Sequence, residues 1–182
     1  VGRAELIRHE QGRYRVDADA GVEFDATRFE HLAVRALRRL RKAAPRGLAE
    51  DSVDEAARVL DEVLTSYRGP FLQGEVAGDW HLAIRERLAR LHQEALHALG
   101  TYREARGENG IAAAHFMQLV AADSLHEDGV RGLMRALARD GRRTEALRAF
   151  ERFEKELAAE LDSVPADESL QLAERIRRGD AI

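Results

Sequence analysis

The stretch GLMRALARDGRRTEALRAFERFEKELAAEL, residues 132–161, repeats in outline a pattern that begins 34 residues earlier. Leu96 aligns with Val130, Leu99 with Leu133, Gly107 with Gly141, Ala112 with Ala146, Phe116 with Phe150 and Leu119 with Phe153. A fixed period of roughly 20 to 50 residues marks stacked supersecondary units, none of which can bury its apolar face alone. Apolar residues recur at the 3,4 spacing of helices on both sides of each glycine. Working outward, the same spacing predicts helices over about 25–44, 52–67, 80–106, 111–122, 127–139, 144–161 and 167–178. Asp25 and Ser52 stand as N-caps, Glu55 completes a capping box with Ser52, and Pro45 with Gly47 stops the first helix. Trp80, Phe116, Phe150 and Phe153 are the expected core anchors. Phe71 and Leu72, in the loop 68–79, should fold down onto the core. Before residue 17, Ile7, Tyr14 and Val16 flank Gln11-Gly12, which reads as a short β-hairpin.

Composition agrees with a helical chain. Aromatic residues make up 5% of the 182, charged residues 34%, and there are 3 prolines. With no cysteine there is no disulfide framework and no thiolate nucleophile. No apolar run approaches the roughly 20 residues of a membrane span, and no signal peptide is visible. A cytoplasmic location without membrane contact is expected. The net charge of −4 does not suit a polyanion binder as a whole, so any nucleic-acid contact must be local.

The repeat register resembles the tetratricopeptide repeat, with Leu96, Leu99, Gly100, Ala112 and Phe116 at its marker positions and Val130, Leu133, Leu137, Ala146, Phe150 and Phe153 in the second copy. Larger pieces narrow the likeness: YRVDADAGVEFDATRFEHL from Tyr14, VLTSYRGPFL from Val63, Trp80 followed by RERLARLHQEAL, and the opening stretch from Gly132. Together they resemble the bacterial transcriptional activator domain, the helical half of antibiotic-regulatory-protein type activators. The resemblance implies an all-α, tetratricopeptide-like superhelix of about seven helices over 17–182, with a short N-terminal β-hairpin. It also implies that residues 1–16, containing HEQGRYRVD, are the last hairpin of an upstream winged-helix domain whose recognition helix is missing here. The implied function is regulation of transcription through protein contacts, with the domain itself, RNA polymerase or other domains of the same polypeptide as partners. A homodimer is among these partners, and DNA would be reached only through the upstream domain. The alternative is a free-standing scaffold that binds peptide in its groove.

In such stacks the inner helices line the partner groove. The register places Glu94, His97, Thr101 and Glu104 there from one helix, and Asp128, Arg131, Arg135 and Arg139 from the next. The three arginines, at i, i+4 and i+8, either clamp an acidic partner through charge-assisted bonds or pair with Glu94 and Glu104 across the groove. Arg35, Arg38, Arg39, Lys42 and Arg46 form a basic stripe opposite the apolar face of the first helix. They read either as a solvated face or, with Arg8, Arg13 and Arg15 of the hairpin, as contacts to the DNA backbone. Glu94 and His97 have the Glu-x-x-His spacing of di-iron bundles, but no second copy exists. There is no phosphate-binding loop and no Gly-x-Ser-x-Gly elbow. No enzyme activity, metal or cofactor is expected.

Overall fold

A computed structural model describes residues 7–10, 13–16, 24–46, 50–74 and 78–182; of 7–16, 42–46 and 50 it describes the backbone alone. Seven helices follow one another: α1 (Asp25–Arg46), α2 (Glu50–Ser66), α3 (Leu82–Ala105), α4 (Asn109–Ala122), α5 (Glu127–Arg139), α6 (Arg143–Leu161) and α7 (Asp167–Arg178). Ahead of them, Ile7–Glu10 (β1) and Arg13–Val16 (β2) run antiparallel with Ile7 opposite Val16. The side chains of Arg8, Arg13 and Arg15 lie outside the described residues, and so do residues 17–23.

Each helix packs on the next, and α3 also meets α1 and α5 while α7 closes on α5 and α6. That is the order of a stack of helix pairs. Two apolar clusters result. One joins Phe29, Leu37, Leu60, Val63, Leu88 and Leu99 from α1, α2 and α3. The other joins Leu96 with Phe116, Leu133, Phe150, Phe153 and Ile176 from α4 to α7. Helix α3 serves both, because Leu96 and Leu99 point to different clusters.

The repeat explains the tightest contacts. Phe116 of α4 is fully buried, and its ring presses on two backbones. A Cβ at Gly100 of α3 would come within 2.7 Å of it, and one at Gly132 of α5 within 2.5 Å. At the turns, Gly107 and Gly141 adopt φ values of 75° and 80°. In both turns the following residue donates its N–H five residues back, Glu108 to Arg103 and Arg142 to Leu137. This is a helix-terminating motif that favours a left-handed residue, hence glycine.

Four expectations change. Asp25 is the first residue of α1 and accepts from the N–H of its neighbour Ala26 at 2.7 Å, so it does not cap the helix. Trp80 is not a core anchor: it lies in the loop before α3 and is 61% exposed. Helix α2 begins at Glu50, so Ser52 sits inside its first turn and does not cap it. Of the loop apolar pair, Phe71 packs on the core while Leu72 is exposed at φ 48°. Arg85 of α3 holds this loop by donating to the carbonyls of Phe71 at 2.9 Å and Leu72 at 2.5 Å.

A Cβ at Gly107 or Gly141 would meet nothing within 4 Å, so only the backbone penalty opposes alanine there. Gly107→Ala and Gly141→Ala should each lose about 1–2 kcal/mol in denaturant unfolding, by similar amounts. An unchanged midpoint in either variant would contradict the turn geometry.

Candidate functional site

The candidate site is the face shared by α1, α3, α5 and α7. At its centre Glu104 of α3, with a side chain only 9% exposed, accepts from Arg135 Nε at 2.8 Å and Nη2 at 3.1 Å. It also accepts from Arg139 Nη1 at 2.8 Å. One carboxylate between two guanidiniums leaves a positive charge in excess, and each guanidinium still has N–H donors to spare. Arg139 Nε reaches the backbone oxygen of Ile182 at 2.9 Å. Arg131 turns instead to Asp128 and to Ser169 Oγ of α7, 3.1 Å away. Ser169 Oγ in turn donates to Glu127 at 2.6 Å. The buried hydroxyl thus ties α5 to α7.

Of the two pairing partners weighed for the arginines, Glu104 is used and Glu94 is not. Glu94 pairs at 2.8 Å with Arg41 of α1, both side chains being mostly exposed. Such a pair is worth less than about 1 kcal/mol. His97 does not join Glu94 in a metal site: its ring stacks on His126 at 5.7 Å and meets Phe116 edge-on at 6.0 Å. Among the described residues no group of three or more His, Cys, Asp or Glu is placed to hold a metal. His126 caps α5, its Nδ1 accepting from Gly129 N–H at 3.1 Å. Thr101 is exposed.

The basic stripe of α1 has a different fate. Arg35 and Arg38 are exposed and Arg39 half-buried, away from the core residues Phe29, Ala33, Ala36 and Leu37. The side chain of Lys42 lies outside the described residues.

A second polar cluster was not anticipated. Arg103 of α3 donates to Asp61 of α2 at 2.5 Å and to Glu108 at 2.6 Å. His115 of α4 brings Nε2 to 3.3 Å from Asp61. Tyr102 donates to Asp54 at 2.6 Å, and Arg106 joins at 3.1 Å.

A family model described as bacterial transcriptional activator domain matches residues 24–177. The chain belongs to this family. Among solved structures, this activator domain is similar to Mycobacterium tuberculosis EmbR in complex with low affinity phosphopeptide, at 22% identity and a TM-score of 0.61. The match covers 97% of this chain and 44% of that chain. The likeness is one of fold, and this chain spans less than half the length of the other. Comparison with curated proteins gives no match. No helix among the described residues is long and apolar enough to cross a membrane.

Three histidines of the activator domain are held below the ordinary imidazole pKa, each chiefly by burial: His92, stacked on Tyr67 at 4.0 Å, His97 and His115. At His97 the neighbouring His126 adds to the effect, while Asp128 and Glu104 oppose it. A lowered folded pKa means the unfolded chain binds protons first as pH falls. Stability should therefore rise with pH up to about 6.5, the ordinary imidazole value, and level off above 7. His97→Gln should flatten part of that rise in a melting-temperature series; a melting temperature that falls with pH over this range would contradict it.

Proposed function

We propose that this chain is the protein-contact domain of a cytoplasmic bacterial transcription activator and that it works without chemical catalysis. The observation that carries the reading is the family match over 24–177, together with a face whose polar side chains are aligned across successive helices. On this reading residues 1–16 belong to an upstream winged-helix domain, and base readout is done there, since it needs a recognition helix in the major groove. The face of α3 and α5 meets the partner, which is RNA polymerase, another domain of the same polypeptide or a second copy. The Glu104 trio supports an acidic partner segment, because its surplus positive charge and spare N–H donors suit a carboxylate. Asp128, 62% exposed at its side chain, sets a negative end to the same face and gives the contact a direction. The interior pairing of Arg135 keeps that guanidinium in place before the partner arrives, which lowers the ordering cost of binding.

The test uses the activator that carries this domain, in a reporter strain. Asp128→Arg with Arg139→Glu should reduce activation at least about tenfold, the loss that 1.4 kcal/mol of partner affinity produces. Promoter occupancy and protein level should stay unchanged. Full activation by the double variant would remove this face from the reading, and loss of promoter occupancy would place its role in DNA binding.

A further inference from the structure

Helix α1 is out of character with the chain. It carries seven basic residues and two acids, Asp25 and Glu30, within a protein of net charge −4. The structure sorts these charges by direction. Those turned toward α3 are paired: Glu30 accepts from Arg87 at 3.0 Å and Arg41 donates to Glu94 at 2.8 Å. Asp25 accepts from the N–H of Ala26 at 2.7 Å. On the outer face, His31, Arg35 and Arg38 follow one another at i, i+4 and i+7, and none of the three has an ion pair or hydrogen bond among the described residues. The register continues at Lys42. The contrast is with α5, whose three regularly spaced arginines are all engaged.

We infer that the outer face of α1, built on Arg35 and Arg38 with His31 beside them, contacts the phosphate backbone of duplex DNA without reading its sequence. Like charges one turn apart on a helix cost stability and gain nothing from folding. From His31 to Arg38 the row rises about 10 Å along a rigid helix, and a duplex presents one negative charge per roughly 1.7 Å of its axis. A protein partner suits the face less well. The shallow depression of about 370 Å³ beside the row is bordered by Glu30, His31, Val34, Arg35 and Arg38. Val34 is its one apolar side chain, and it offers no aromatic anchor of the kind that dominates protein interfaces. Arginines on phosphates instead release counterions, which favours binding without any dehydrated core. The surface is separate from the α3–α5 face, so the loss of one contact need not disturb the other.

The 182-residue chain is titrated onto a labelled random-sequence duplex by fluorescence anisotropy over roughly 50 to 200 mM salt. Binding should weaken with salt and be equal for random and promoter duplexes. Arg35→Gln with Arg38→Gln should lower the slope of log K against log salt by about two, at roughly 0.9 per phosphate contact. Arg38→Lys, which keeps the charge, should retain the slope, and Arg178→Gln on α7, an exposed arginine away from α1, should bind as the unaltered chain does. Both outer positions are exposed, so circular dichroism should be unchanged. Failure of the unaltered chain to bind at the lowest salt, or an unaltered slope in the double variant, would overturn the inference. Displacement of the duplex by an equal charge of polyglutamate would also overturn it and assign the face to an acidic protein.

Discussion

The ring of Phe116 lies between two glycine backbones, and the arrangement of the second half of the domain depends on it. Gly100 and Gly132 leave so little room that any side chain there would occupy the space of the ring. Helices α3 and α5 can therefore approach from either side of one aromatic carried by α4. One turn beyond Gly100 stands Glu104, and beyond Gly132 stand Arg135 and Arg139. The close approach brings that carboxylate within hydrogen-bond distance of both guanidiniums. An apolar constraint in the core thus decides an electrostatic arrangement on the surface.

The charges then divide into two groups. Arg131, Arg135 and Arg139 are spent on α3, α7 and their own helix, and they fix the shape of the α3–α5 face. Arg35 and Arg38 are left to solvent on α1. Composition alone could not separate these groups, because nearly all basic residues of this chain are arginine. The difference lies in what stands opposite: an adjacent helix with carboxylates for α5, and no acidic partner among the described residues for the outer side of α1.

Much of this was legible from the 34-residue period. The 3,4 apolar spacing located the seven helices to within a few residues, and the period identified Phe116, Phe150 and Phe153 as core and marked Gly107 and Gly141 as turns. The placement of Glu104 opposite the α5 arginines followed from the same register. Trp80 was misread because helical spacing extends by arithmetic past the point where the helix begins, and a loop residue needs no buried face. The partner of Glu94 was missed for another reason: Arg41 is 53 residues away and belongs to the irregular first pair, which the repeat does not describe. The Asp61, Arg103 and His115 cluster draws on three helices, and no local pattern encodes such a meeting.

The central claim is that α3 and α5 close on Phe116 because glycine stands on both. A double-mutant cycle in denaturant unfolding tests it most directly. Gly132→Ala alone should cost about 1–3 kcal/mol through overpacking, although alanine is the better helix former by about 1 kcal/mol. In a Phe116→Ala background, which itself loses about 3–5 kcal/mol, the added methyl group should cost nothing or stabilise. Equal costs of Gly132→Ala in the two backgrounds would show that the ring and the glycine are not coupled, and would contradict the account.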